Sequence, residues 1–193
     1  MLLETLKKGN IKLIGRPLTE FPSFLTDASS TTTEIRLSNN GFSSVGRVSF
    51  SQFMLLREVS ITKTRSPASL LKSFPPRLRK LDLSNNRITD VPAEISKATI
   101  LERLSLHNNR IRYVGMDESG RSVFSGRCMR HVRLSGNPLT HLPEALQTCP
   151  RLELVLDDLP VLVAEWASCY RKCRWWWCGM TSVPCGCARR SLC

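Results

Sequence analysis

Four stretches of the chain share one pattern: Ile35-Arg-Leu-Ser-Asn-Asn-Gly-Phe42, Leu81-Asp-Leu-Ser-Asn-Asn-Arg-Ile88, Leu104-Ser-Leu-His-Asn-Asn-Arg-Ile111 and Val132-Arg-Leu-Ser-Gly-Asn-Pro-Leu139. Each reads apolar-x-apolar-x-x-Asn-x-apolar. Weaker copies stand at Ile11–Leu18, Val59–Ser66 and Leu154–Val161, with Arg16, Thr64 and Leu159 in the Asn slot. The slot residues Arg16, Asn40, Thr64, Asn86, Asn109, Asn137 and Leu159 follow one another at intervals of 24, 24, 22, 23, 28 and 22 residues. A period of this size, held over seven copies, is the signature of stacked coils.

The residue types fit that geometry. The apolar-x-apolar core alternates with period two, as a short strand with one buried face does. Further apolar positions such as Ile88, Val91 and Ile95 bury the returning arm of the coil. The chain turns out of the strand at the Asn slot. There the amides of Asn40, Asn86, Asn109 and Asn137 can satisfy backbone groups of the neighbouring coil, which predicts a structural ladder and no ligand role. Several repeats then carry an apolar-Thr-x-apolar-Pro step: Leu18-Thr-Glu-Phe-Pro22, Ile88-Thr-Asp-Val-Pro92 and Leu139-Thr-His-Leu-Pro143. Proline is suited to a turn in which no backbone donor is needed.

These repeats resemble the leucine-rich-repeat family over about residues 10–161, specifically its intracellular Ras-group type with a Leu-Pro step and roughly 23 residues per repeat. Gly9–Pro22 and Cys149-Pro-Arg-Leu152 are similar to a small eukaryotic member of that family. The resemblance implies an α/β repeat solenoid. This is a curved array with a short-strand parallel sheet on its concave face and irregular or helical convex segments. It also implies a protein-binding scaffold or adaptor that recognises its partner on the concave surface.

Two domains are expected. Residues 1–164 form the repeat array of about seven coils, the first and last degenerate. Residues 165–193 form a Cys/Trp-rich basic tail, read as disordered. Six of the eight cysteines lie there, around Trp175-Trp176-Trp177. The tail has no Cys-x-x-Cys pair and no His follows His141, so its spacing argues against zinc. The alternative function is a peripheral membrane recruiter, since Trp, Arg and acylatable Cys suit a membrane interface. Gly115–Arg127 accounts for the 28-residue interval and reads as a tolerated surface excursion. Ser29–Thr33 reads as a surface loop between coils.

The apolar content of 41% is enough for a core, which argues against wholesale disorder. The start, Met1-Leu2-Leu3-Glu4, carries an acid where a secretory signal is basic, and no apolar run reaches the roughly 18–20 residues of a membrane span. The expectation is a soluble cytoplasmic protein. A net charge of +12 suggests attraction to an acidic partner without naming one.

From the strand register, Glu34, Arg36, Glu58, Ser60, Lys80, Asp82, Arg103, Ser105, His107, His131, Arg133 and Ser135 point outward on the concave face. Partner binding is assigned to Arg36, Lys80, Asp82, Arg103, His107, His131 and Arg133. Arg36, Lys80, Arg103 and Arg133 are expected to form a basic stripe, with a merely solvated face as the alternative because Glu34, Glu58 and Asp82 interrupt it. His107 and His131 lack a third ligand at metal spacing, so no metal and no cofactor is expected. No phosphate loop, nucleophile–base motif or carboxylate pair points to catalysis. Nucleic acid is disfavoured, because no aromatic platform interleaves the basic residues.

Overall fold

The computed structural model describes residues 9–16, 18–19, 30–41, 50–64, 74–91, 93–114, 124, 128–140, 153–155 and 175–177. Within them the chain forms eight three-residue strands: β1 (Asn10–Lys12), β2 (Glu34–Arg36), β3 (Glu58–Ser60), β4 (Lys80–Asp82), β5 (Arg103–Ser105), β6 (His131–Arg133), β7 (Glu153–Val155) and β8 (Trp175–Trp177). They make one parallel sheet in sequence order, so each coil contributes a strand beside the one before it. This is the expected repeat solenoid.

Burial follows the repeat. In β1 to β7 the middle residue is buried, while the first and third face outward. Two residues beyond that buried position stands a second, giving pairs such as Ile35 and Leu37, Leu81 and Leu83, Leu104 and Leu106, and Val132 and Leu134. Three residues before it stands a third: Leu56, Leu78, Leu101 and Met129. One coil cannot enclose such a row alone, and stacking makes it continuous.

The returning arms differ in detail. Ahead of β3 the chain makes a 3-10 turn at Phe50–Gln52, and ahead of β5 another at Ala93–Lys97. Phe50 and Phe53 hold the same register before β3 as Ile95 and Ala98 hold before β5, and all four are buried. The two phenyl rings pack tilted, with centroids 6.1 Å apart. Phe124 is fully buried, so the long interval between β5 and β6 returns a large side chain to the core. The rest of Gly115–Arg127 lies outside the described residues. So does the tail apart from Trp175–Trp177, which pair with β7 as its eighth strand.

The exit from the strand is built on left-handed backbone. Gly15, Asn39, Lys63, Asn85, Asn108 and Gly136 all have φ between 53° and 65°. Each precedes the Asn slot by one residue. Glycine takes this conformation freely and Asn tolerates it through local hydrogen bonding, which accounts for five of the six residue types.

Candidate functional site

The outward face of the sheet is set by its register. The first strand positions align as Asn10, Glu34, Glu58, Lys80, Arg103 and His131; the third align as Lys12, Arg36, Ser60, Asp82, Ser105 and Arg133. The expected basic stripe of Arg36, Lys80, Arg103 and Arg133 is therefore two half-rows. Lys80 and Arg103 are register partners in the first row, whereas Arg36 and Arg133 stand in the third with three strands between them. Alternate strand residues share a face but lie about 6.6 Å apart along the chain, and a list of outward residues does not reveal that offset.

Several of these charges are already partnered. Arg36 pairs with Glu34 on its own strand, and Lys80 pairs with Glu58 of the preceding coil. His131 Nδ1 lies 2.6 Å from Glu153 Oε2. Asp82 accepts hydrogen bonds from Ser84, just beyond its strand, through Oγ at 2.6 Å and N at 3.1 Å. His107 faces the Ser105 hydroxyl at 2.8 Å through Nδ1 and the Asn85 amide at 3.4 Å through Nε2. Because the Asn85 amide nitrogen can only donate, Nε2 accepts there and Nδ1–H donates to Ser105. Arg103 and Arg133 are exposed, and no ion pair or side-chain hydrogen bond engages either among the described residues.

A further outward row escaped the sequence reading. The residues just before β3, β4 and β6 are also exposed, bringing in Arg57, Arg79 and Arg130. Before β2 to β5 the preceding carbonyl accepts two consecutive amides of the next coil: Arg57 O takes Arg79 N at 2.8 Å and Lys80 N at 3.0 Å, and Glu102 O takes Arg130 N at 2.8 Å and His131 N at 3.0 Å. Two adjacent residues thereby point outward, breaking strict alternation. Arg79 is bound to Glu102 at 2.9 Å. Exposed, consecutive basic residues at Arg79-Lys80 and Arg57 were the available signal.

The asparagines lie behind this face. Asn109 Nδ2 donates to Leu83 O of the preceding coil at 3.0 Å and to Leu106 O of its own at 2.8 Å, while its Oδ1 accepts from Ile88 N at 3.1 Å. Asn137 repeats this with Leu106 O, Leu134 O and Ile111 N. Asn86 bridges Ile61 O and Leu83 O, and Asn40 bridges to Leu13 O. All four amides are used up within the stack.

Among the described residues no group of three or more His, Cys, Asp and Glu is placed to hold a metal ion, and no helix is long and apolar enough to cross a membrane.

Comparison with known proteins agrees with this geometry. Residues 76–115 match the family model "Leucine Rich repeats (2 copies)". Over 79 residues, 41% of the chain, the sequence is 32% identical to the leucine-rich repeat and calponin homology domain-containing protein 1 of Mus musculus, of which this stretch spans 10%. A leucine-rich-repeat protein of Leptospira interrogans superimposes with a TM-score of 0.61 at 22% identity, covering 89% of this chain and 50% of that one. The leucine-rich-repeat ectodomain of the Arabidopsis thaliana membrane receptor kinase GASSHO1/SCHENGEN3, solved with Casparian strip integrity factor 2, gives 0.51 at 18% identity, covering 78% of this chain and 20% of that one. The chain folds as a leucine-rich-repeat solenoid, and residues 76–115 carry two copies of the repeat.

Proposed function

We propose that this protein is a scaffold or adaptor that binds a partner protein on the concave face of its sheet and catalyses no reaction. The supporting observation is the division of labour within each coil. Polar groups needed for stacking are satisfied behind the sheet by the asparagines, leaving the first and third strand positions with side chains of varied size and charge. Such a surface recognises by shape and electrostatic complementarity. A structural neighbour with the same fold, the plant receptor ectodomain, was solved holding a bound factor.

The finer assignment to the Ras-group intracellular type, with similarity to leucine-rich repeat-containing protein 57, rests on the Leu-Pro steps and on Gly9–Pro22 and Cys149–Leu152. It goes with a cytoplasmic location, which imaging of the tagged chain tests.

The test of the binding face is capture from cell lysate by the full chain and by Ser60→Trp/Ser105→Trp. These substitutions fill the centre of the face without touching a buried residue. With matching circular dichroism, proteins captured by the native chain are lost from the variant. An unchanged set of captured proteins contradicts the reading.

A further inference from the structure

The cations of the outward face of the sheet are unequally satisfied. Arg36, Arg79 and Lys80 each have a carboxylate partner. Arg103, Arg130 and Arg133 are exposed and have none among the described residues, and no side-chain hydrogen bond holds them. Arg103 lies on β5, Arg133 on β6, and Arg130 just before β6. Arg103 is the register partner of His131, so Arg130 sits diagonally beside it; Arg133 stands opposite Ser105, two residues along. Like charges held this close repel one another, and an incoming anion relieves that repulsion.

We propose that Arg103, Arg130 and Arg133 dock an extended acidic segment of the partner protein, gripping carboxylates two residues apart. This deepens the protein-binding reading above and rests on it. Guanidinium groups meet carboxylates through two parallel hydrogen bonds, which gives direction as well as attraction. With strands about 4.8 Å apart and a rise of about 3.3 Å per residue, the Arg103 and Arg133 backbones are separated by about 8 Å. Alternate residues of an extended peptide lie about 7 Å apart on one side, within reach of two arginine side chains. A Glu-x-Glu segment therefore matches the pair, with Arg130 flanking it. Nucleic acid fits less well: the outward positions of β1 to β6 carry no Phe, Tyr or Trp on which bases stack.

The experiment uses the full chain and fluorescence anisotropy with three probes: a labelled peptide of alternating Ser and Glu, its Gln counterpart, and a single-stranded oligonucleotide of equal charge. The patch variant is R103Q/R130Q/R133Q. The control is R87Q/R110Q/R112Q, which removes as much charge from exposed arginines outside the strands. Circular dichroism must match throughout. The Glu peptide is expected to bind the native chain and the Gln peptide not to. The patch variant should weaken binding by about tenfold or more and the control by less than about twofold. Equal weakening by both variants, no binding of the Glu peptide, or tighter binding of the oligonucleotide through the patch overturns the proposal. Lysate capture separates the two levels. If Ser60→Trp/Ser105→Trp abolishes capture and the patch variant leaves it intact, only the acidic-segment proposal falls; if neither changes it, the binding-face reading falls as well.

Discussion

Thr64 Oγ1 donates a 2.9 Å hydrogen bond to Asn86 Oδ1, so the residue in the third coil's ladder slot leans on the next coil's asparagine. Among the described residues its side chain reaches nothing in the coil before it, whereas Asn40, Asn86, Asn109 and Asn137 each bridge backward. The ladder is interrupted between β2 and β3.

Restoring it should stabilise the protein. Thr64→Asn places an amide where Leu37 O can accept it, as Leu83 O accepts from Asn109. The expected gain is about 0.5–1.5 kcal/mol, read as a rise in Tm of about 1–6 °C by calorimetry. A fall in Tm means that this slot does not accommodate the amide.

Removing a rung should be costly. Asn109→Ala leaves Ile88 N without its partner and takes a donor from both Leu83 O and Leu106 O. Leu83 O keeps Asn86 Nδ2 and Leu106 O keeps Asn137 Nδ2, so Ile88 N is the group left orphaned, at about 1–3 kcal/mol, and denaturant titration should show a loss of at least about 1 kcal/mol. Asn109→Asp keeps an acceptor for Ile88 N but turns an oxygen toward two carbonyls, and it should not rescue. Wild-type stability in either variant contradicts the ladder's role.

Gly136 and Asn108 test the strand exit. Gly136 sits at φ 65°, and a Cβ there would run into Asn108 Oδ1 well inside van der Waals contact. Gly136→Ala combines left-handed strain with that contact, a destabilisation of about 1–2 kcal/mol, most of it the strain, because the exposed Asn108 side chain can swing aside. Asn108→Gly loses one exposed hydrogen bond to Asn85 and should cost well under about 1 kcal/mol. The double variant should recover part of the loss because the clash is gone. Simple additivity in the cycle would show that the Asn108 side chain is not what Gly136 accommodates.

The core makes a separate prediction. Phe50 is fully buried and packs on Phe53, so Phe50→Ala should cost about 3–5 kcal/mol. Ala98 occupies the register of Phe53 two arms later, and Ala98→Phe should overpack the core at a cost of about 1–3 kcal/mol. Equilibrium unfolding of both variants checks the correspondence.

The strands were legible because a buried residue at every second position leaves a mark that no other three-residue element leaves. The four slot asparagines were legible for a related reason: a buried amide recurring in register has carbonyls to satisfy. Lys63 was not. Its φ of 53° is imposed by the stack, and a lysine gives no hint of left-handed backbone where Gly15 and Gly136 do. The face was read only in part. Period-two reasoning hides Arg57, Arg79 and Arg130, because the doubly accepting carbonyls before β2 to β5 turn two neighbours of the next coil outward together. It also treats Arg36 and Arg103 as equivalent, although Arg36 is tied to Glu34 and Arg103 is not. Pairing between side chains of different coils depends on register, and register appears only when the coils are stacked. Phe124 was missed because an interval rich in glycine reads as solvent loop, and one buried ring does not alter that pattern.

The central claim is that the outward face of the sheet meets the partner. A photo-crosslinking residue placed at Ser105, on the third position of β5, reports on it directly. The same residue at Met54, exposed on the returning arm ahead of β3, serves as the reference. Discrete, light-dependent adducts with a protein are expected from Ser105 and none from Met54. Adducts from Met54 alone would contradict it and move binding to the opposite side of the coil.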